Sequence, residues 1–424
     1  MGAERDPHPG LEEYKYLARP VRFAAIDLEH GVFELENRQY FSDFSAFRLR
    51  WEIAADGRVV LTGSSAPPKI PPRFGAKAQI VIPYPDRGRF RGKTVHLTLQ
   101  AVLKRAVCYA EAGFEVAHEQ FALPVRLAPV RAVRPAAAPA EVSEDAERIS
   151  LRAGSLAMSV RRDTGAAVWR RENGALLRGP EPWFYRAPTD NDGFRLPQLN
   201  NQCRPLAAWL AKGYDRMASR VTEIAADGGA VRVVREITAP GIAGAAIRHE
   251  MRFTALSDGR VKAENRFAVP EAFEDLPRVG LLWELPLDFD TAEYLGLGPH
   301  ENYRDRAAAA VFGRYTLPIR DLPGNYLLPQ SAGNRTNVRE LVLSGKTGSW
   351  RVTTLGKPFE FSILPYSDAE LFAARHWHEL GEQRWWYWHL DAVQRGVGTR
   401  SCGPELRDRY RVRPGQYELD FVIS

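Results

Sequence analysis

The sequence is poor in several features that would point to particular classes of protein. It has three cysteines in 424 residues, too few and too far apart for a disulfide framework or a cysteine-rich zinc pattern. No run of about 18 apolar residues occurs, so no membrane-spanning helix is predicted. The first residues have no apolar core, so we do not expect a secretory signal. These absences favour a cytoplasmic globular protein.

Lysine is also scarce, although the chain is rich in basic residues. Nine of the 58 basic residues are lysine and 49 are arginine, with a net charge of +6. The arginines are scattered among acidic residues, as in Arg48 and Arg50 before Glu52. A nucleic-acid-binding surface would gather positive charge on one face. We therefore predict solvated faces and neither a nucleic-acid nor a membrane partner.

Apolar and polar residues alternate with a period of two over much of the chain. The clearest examples are 47–53, 247–253 and 417–423, and Asp56-Gly57 and Asp258-Gly259 supply hairpin turns between strands. Strands with one solvated face are typical of antiparallel sheets. The sequence therefore predicts an all-β protein built from antiparallel β-sandwiches.

Few helices are predicted, and no catalytic barrel. A short helix is expected within 205–217, and the capping box at 367–370 predicts a second. The chain has no alternating series of strands and helices that could form a (β/α)₈ barrel.

An Ala/Pro-rich segment at 127–144 predicts a linker between two domains. Residues 19–126 have the size of an immunoglobulin-like sandwich. Residues 145–424 form a larger β domain, and residues 1–18 are expected to be an irregular tail.

Three segments carry more polar residues than a sandwich requires. The first contains Arg186, Asp190, Asn191 and Asp192 and ends at Gly193. Such residues fix a turn through bonds between side chains and backbone, and the segment is either a rigid turn or a loop that closes over a ligand.

The second segment contains His300, Glu301 and Arg306 after a tight backbone path of Gly and Pro. His300 and Glu301 are candidates for acid–base work. Adjacent residues of an extended segment point to opposite faces, so a buried structural network is the other interpretation.

The third segment spans 374–404. His376 and His378 would share a face of a strand, but no third ligand has a recognisable spacing, and no metal site is predicted. The aromatic residues at 385–388 are either a sugar-stacking platform or core. Cys402 lies in a Gly-rich bend, where a backbone can approach a ligand closely.

Taken together, these segments resemble the C-terminal region of the large β-galactosidases of glycoside hydrolase family two. The similar stretches are Arg-Ala-Pro-Thr-Asp-Asn-Asp at 186–192, Gly-Leu-Gly-Pro-His-Glu-Asn-Tyr-Arg-Asp-Arg at 296–306 and Gln-Arg-Gly-Val-Gly-Thr-Arg-Ser-Cys-Gly-Pro at 394–404. Residues 6–15 are similar to the stretch where that family's catalytic barrel ends. The resemblance covers essentially the whole chain.

The resemblance implies an immunoglobulin-like fourth domain at about 19–126 and a galactose mutarotase-like fifth domain from about 145 to 424. It implies a C-terminal part or small subunit of an enzyme that hydrolyses terminal β-D-galactosides, such as lactose, with retention. The catalytic glutamates and the Mg²⁺ and Na⁺ ligands would lie upstream, so no catalytic residue or cofactor is expected in this chain. The expected partners are a β-galactoside and a catalytic-barrel subunit or upstream domains, in an oligomer.

The resemblance also implies a role at the rim of the sugar pocket. The turn at Ser401, Cys402 and Gly403 matches one that carries a stacking tryptophan in some members, and Cys402 replaces it here. Gly193 and Phe194 match a loop that swings toward the pocket. Two other functions stay open: a stand-alone carbohydrate-binding or scaffold module, and a mutarotase-like isomerase using His300 or Glu301.

Overall fold

The computed structural model describes residues 5–83, 87–125, 141–172, 174–193, 204–227, 229–400 and 403–424. These residues form 26 β-strands and three short α-helices, and the strands of each sheet pair antiparallel. The predicted all-β class is therefore confirmed. In the part of the chain that is described, no helix has the length and apolar character needed to cross a bilayer.

The described residues divide into two compact units. The first contains residues 7–125 and 308–314, and the second contains residues from 141 to 307 and from 315 to 424. The predicted domain limits at 19–126, 127–144 and 145–424 stay predictions, because most of the expected linker lies outside the described residues.

The first elements along the chain are α1 Pro9–Ala18, β1 Val21–Asp27, β2 Val32–Asn37, β3 Phe47–Ala55, β4 Arg58–Ser65, β5 Lys77–Val81, β6 Val95–Leu103 and β7 Glu115–Ala122. The strands fold into a three-stranded sheet of order β1-β2-β5 and a four-stranded sheet of order β4-β3-β6-β7. Apolar side chains from both sheets, such as Phe33 and Leu97, share one core, so the two sheets form a sandwich.

Helix α1 corrects the expectation of an irregular tail at 1–18. Pro9 suits the first helical position, and Glu12 and Lys15 lie at the ends where their charges complement the helix dipole. Tyr16 and Arg19 both bond to the carboxylate of Glu119 on β7, each at 2.9 Å. No residue of α1 is buried, and its apolar side chains Leu11, Tyr14 and Leu17 are exposed, so the helix adds no side chain to the core.

The remaining elements are β8 Glu141–Glu144, β9 Arg148–Ala153, β10 Leu156–Arg161, β11 Ala167–Arg171, β12 Leu176–Trp183, α2 Pro205–Lys212, β13 Ala218–Asp227, β14 Ala230–Thr238, β15 Ile247–Ala255, β16 Val261–Val269, β17 Arg278–Leu285, β18 Phe289–Gly298, β19 Val311–Pro318, β20 Arg335–Val338, β21 Glu340–Gly345, β22 Gly348–Thr354, β23 Phe359–Leu364, α3 Asp368–Ala373, β24 Trp386–Gln394, β25 Gly415–Glu418 and β26 Phe421–Ile423. The strands form two large sheets of order β20-β23-β24-β17-β12-β11-β10-β9-β8 and β13-β14-β15-β16-β26-β22-β21-β18-β19. Strand β25 pairs with β16 at the side of the second sheet.

Tryptophan rings fill the core between the two large sheets. Trp283 on β17 stacks on Trp388 on β24, with ring centres 5.4 Å apart. Trp169 on β11 meets Phe253 of the opposite sheet edge-on at 5.2 Å. Trp386 and Trp388 are both buried, so these two aromatics of 385–388 belong to the core.

The hairpin turns at 56–57 and 258–259 and the helices at 205–212 and 368–373 lie where the sequence predicts them. The strand expected over 417–423 is interrupted between β25 and β26. At the interruption, the side-chain amide of Asn265 donates to the carbonyl of Leu419 at 2.8 Å, where a regular ladder would have a backbone donor. Alternation alone does not reveal this break.

Candidate functional site

The structure brings the first and third polar segments into direct contact. The guanidinium of Arg186 donates to the carbonyl oxygens of Arg395 at 2.6 Å and Gly396 at 3.1 Å. Its Nε and Nη2 also donate to the two carboxylate oxygens of Asp192, at 3.0 and 2.7 Å. Both side chains of this pair are fully buried. A buried charge is tolerated only when it is paired, so this ion pair fixes Arg186 where the first and third polar segments meet.

The second polar segment contacts the third through Asp305. Its carboxylate accepts the backbone N–H groups of Val397 at 3.0 Å and Gly398 at 2.7 Å. The amide of Asn191 donates to the Gly398 carbonyl at 2.8 Å. A Cβ atom at Gly396 would lie 2.5 Å from Asp305 Oδ1, so only glycine lets the carboxylate approach this closely. The three segments together hold the backbone of 395–398.

Arg395 completes the arrangement with a second buried guanidinium. Its Nε and Nη2 donate to the carboxylate of Asp275 at 2.9 and 3.1 Å, and Nη2 also donates to Glu405 at 3.0 Å. The ring of Trp209 on α2 lies 5.8 Å from the guanidinium carbons of both Arg186 and Arg395. We call Arg186, Asn191, Asp192, Asp305 and Arg395 the anchor network.

Glu301 lies in a separate buried network. Its carboxylate accepts the hydroxyl of Tyr326 at 2.7 Å and the backbone N–H of Gly333 at 2.6 Å, and it pairs with Arg306. Burial and the neighbouring Glu301 charge raise the pKa of Tyr326 above its usual value. Both carboxylate oxygens of Glu301 are therefore engaged, which favours the structural interpretation over acid–base work. His300 is half-buried beside it.

A second cluster lies on the face of the nine-stranded sheet opposite the tryptophan core. His389 and Asp391 alternate with core residues on β24, so both point to this other face. His389 Nε2 lies 3.5 Å from Asp368 Oδ2, and Arg278 Nη1 lies 3.5 Å from Asp391 Oδ2. Together with Glu360 on β23, all of these side chains are buried. We call Arg278, Glu360, Asp368, His389 and Asp391 the buried polar cluster.

Burial controls the protonation of this cluster. It raises the pKa of Glu360 to about 7, against the hydrogen bond from Asn334 and with a further rise from Asp391. It also raises the pKa of Asp391 to about 6, although Arg278 opposes the rise. The pKa of His389 falls well below its usual value because of burial and the nearby Arg278 charge. Near neutral pH the imidazole is therefore uncharged, and Glu360 is partly protonated.

Asp368 connects the buried polar cluster to the first polar segment. Its carboxylate accepts the backbone N–H of Ala187 at 2.7 Å and the indole N–H of Trp183 at 2.8 Å. Burial raises the pKa of Asp368, and Arg278 lowers it in part. The carboxylates of Asp192, Asp305, Glu360, Asp368 and Asp391 are bonded to protein groups, so among the described residues these two clusters do not present a substrate-facing carboxylate pair.

The remaining residues expected at the site have different positions. Gly193 is buried, and its N–H donates to the Thr189 carbonyl at 3.3 Å. Gly403 is exposed, and its N–H donates to the Thr399 carbonyl at 2.6 Å. Asp190 is exposed beside the anchor network. Phe194, Ser401 and Cys402 lie outside the described residues.

Sequence reasoning missed Asp305 as an anchor and the whole buried polar cluster. Asp305 lies in the motif at 296–306, but the backbone N–H groups that it accepts are 92 and 93 residues further along the chain. Spacing in the sequence does not predict a contact over that separation. His389 and Asp391 do carry a signal, because two polar residues two apart interrupt an otherwise apolar strand.

Comparison with known proteins gives the family. Residues 152–423 match the model of the β-galactosidase small chain, and residues 33–124 match the model of β-galactosidase domain 4. The chain belongs to the β-galactosidase small chain family. Two similar relatives are the β-galactosidases of Arthrobacter sp. (strain B7), 30% identical over 97% of this chain, and Priestia megaterium, 27% identical over 93%.

This small-chain protein corresponds to only part of those relatives. It spans 41% of the length of the Arthrobacter protein and 37% of the Priestia megaterium protein. Among solved structures, Aspergillus nidulans amine oxidase has 9% identity and a TM-score of 0.28 over 96% of this chain and 68% of its own. A likeness this weak supports no argument about fold or function.

Proposed function

We propose that this chain is the C-terminal part, or a separate small subunit, of a β-galactosidase that hydrolyses terminal β-D-galactosides such as lactose with retention. The observation that carries the proposal is the match of 152–423 to the β-galactosidase small chain, in a chain that spans about 40% of its relatives. The structural role proposed for the chain is a wall of the sugar pocket.

The anchor network supports this role because of where it acts. It holds 395–398 through buried ion pairs and backbone bonds, and the chain continues from there to Ser401, Cys402 and Gly403. In the proposal these three residues, with Gly193 and Phe194, form the rim that contacts the sugar. A fixed base keeps such contacts in place, as binding sites on rigid supports require.

The catalytic groups of the proposed enzyme come from a partner. Retaining hydrolysis takes a nucleophile and an acid–base carboxyl about 5–5.5 Å apart, whereas the carboxylates of the two described clusters are bonded to groups of this chain. The partner would be a catalytic barrel, on another subunit or in upstream domains. We further propose that the complete enzyme is an oligomer and is located in the cytoplasm.

We propose that the Mg²⁺ and Na⁺ expected in the complete enzyme bind to the partner. Among the residues described here, the one group of three or more His, Cys, Asp or Glu side chains that could hold a metal ion is His376, His378 and Glu379. Two imidazoles suit transition metals, whereas Mg²⁺ and Na⁺ prefer oxygen ligands, so this group does not support Mg²⁺ or Na⁺ on this chain.

The first experiment uses the purified chain with o-nitrophenyl β-D-galactoside and, separately, a calorimetric titration with galactose and lactose. We expect no hydrolysis above the uncatalysed rate and no saturable binding, because a pocket needs its other walls. Saturable binding without a partner would support a stand-alone carbohydrate-binding module instead. Enzyme-like hydrolysis by the chain alone would contradict the proposal.

The isomerase alternative has less support, because Glu301 is occupied by Tyr326, Gly333 and Arg306. Polarimetry on freshly dissolved α-D-galactose tests it, with His300→Ala as the control variant. We expect the chain and the variant to leave the rate of mutarotation unchanged. A rate increase that His300→Ala abolishes would establish the isomerase.

A further inference from the structure

A surface turn of the second unit gathers two imidazoles and one carboxylate. His376, His378 and Glu379 are exposed, and one potential ligand atom from each lies within 4.8 Å of the others. His376 Nδ1 is 2.9 Å from Glu379 Oε1, and the two imidazole rings lie 5.2 Å apart at an angle of 14°. The sugar-pocket role proposed above uses none of these side chains.

Local backbone geometry explains why the three groups converge. The segment is a single turn of 3₁₀-helix, Trp377–Glu379, and not the strand on which His376 and His378 would simply share a face. Side chains three residues apart eclipse one another in a 3₁₀-helix, which brings Glu379 beside His376. Glu379 therefore offers a third potential ligand atom that the spacing of the two histidines did not reveal.

The turn is fixed to the body of the unit. The indole N–H of Trp377 donates to the carbonyl of Tyr326 at 2.7 Å, and the Glu379 N–H donates to the His376 carbonyl at 3.1 Å. The next residue, Leu380, packs against a small apolar cluster that includes Leu371 of α3. Because the backbone is held, only side-chain rotations are needed for the ligand atoms to close on an ion.

We propose that His376, His378 and Glu379 bind one divalent transition-metal ion of the zinc type. Bonds of about 2.0–2.1 Å in a tetrahedral site put ligand atoms about 3.4 Å apart, and the potential ligand atoms here lie within 4.8 Å of one another. Two imidazole nitrogens with one carboxylate favour Zn²⁺ over Mg²⁺ or Ca²⁺. Three protein ligands leave a fourth position open to water or to a donor from another molecule.

The test is a Zn²⁺ titration of the full chain, without an affinity tag, in competition with a chromophoric chelator. We expect one specific Zn²⁺ ion per chain. Loss of an outer-shell partner alone weakens metal sites by about 10–100-fold, so His376→Ala and His378→Ala are each expected to weaken binding by at least tenfold. Co²⁺ bound in place of Zn²⁺ is expected to give visible absorption that both variants lose.

The matched control is His30→Ala. His30 is an exposed histidine paired with Asp27 at 2.6 Å, but it belongs to no group of three potential ligands among the described residues. We expect it to leave Zn²⁺ affinity unchanged. The proposal is overturned if Zn²⁺ binding is absent, if it survives His376→Ala and His378→Ala, or if Mg²⁺ displaces Zn²⁺ at equal concentration. Circular dichroism of each variant shows that the fold is retained.

Discussion

The buried pair of Arg186 and Asp192 gives the sharpest stability prediction. In Asp192→Asn the side chain keeps its size but loses the charge that faces the guanidinium at 2.7 and 3.0 Å. Both groups have no exposure to water, so solvent does not replace the lost interaction. Removing one partner of a buried pair costs about 3–5 kcal/mol. We expect this loss in the free energy of unfolding of the second unit.

Urea denaturation followed by tryptophan fluorescence measures this loss. Nine of the ten tryptophans lie in the second unit, so the signal reports mainly on that unit. Asp163→Asn is the matched control, because Asp163 pairs with Arg161 at the surface, where both side chains are more than half exposed. Exposed pairs contribute little, so the control is expected to resemble the wild type. If Asp192→Asn costs no more than the control, the anchor network does not have the role assigned to it.

Three further predictions concern single residues. A carboxyl with a raised folded-state pKa keeps its proton after the unfolded chain has lost it, so Glu360 lowers the unfolding free energy as pH rises from 4.5 to about 7. Each pH unit corresponds to about 1.4 kcal/mol, so between pH 4.5 and 8 the unfolding free energy of Glu360→Gln is expected to rise by about 3 kcal/mol relative to that of the wild type. Urea titrations at the two pH values measure this difference, and a difference that stays constant with pH contradicts the prediction. Gly396→Ala is expected to lower the free energy of unfolding by about 1–3 kcal/mol, because the added methyl group displaces Asp305. Gly381→Ala serves as a neutral control, because the space around Gly381 is open. Equal thermal stability of the two variants would refute the packing argument. Ser367→Ala removes the N-cap of α3 and is expected to lower the free energy of unfolding by about 1 kcal/mol. The same urea titration measures this change, and an unchanged midpoint would show that the cap contributes nothing.

The sequence predicts the strands with one solvated face because their alternation is a local pattern. Strand β15, in which buried residues alternate with exposed or half-buried ones from Ile247 to Ala255, is an example. Helix α1 was not predicted, although Leu11, Tyr14 and Leu17 recur every three residues, a spacing typical of a helix. The strand break at Leu419 has no such local signal, because it involves a side-chain bond from Asn265.

The site was predictable only as separate segments. Motifs at 186–192, 296–306 and 394–404 identify the polar residues, but the contact of Arg186 with the Arg395 carbonyl joins positions 209 residues apart. Which partner each side chain takes depends on how the two large sheets pack, and that information is not local. The rim role of Cys402 stays a prediction, since it lies outside the described residues.

We propose above that this chain forms a wall of a β-galactosidase and contributes no catalytic carboxylate. The most direct test is a chimera in which this chain replaces the matching part of the Arthrobacter β-galactosidase, assayed with o-nitrophenyl β-D-galactoside against the same enzyme with that part deleted. We expect the chimera to hydrolyse the substrate well above the rate of the deletion. A folded chimera no more active than the deletion would contradict it.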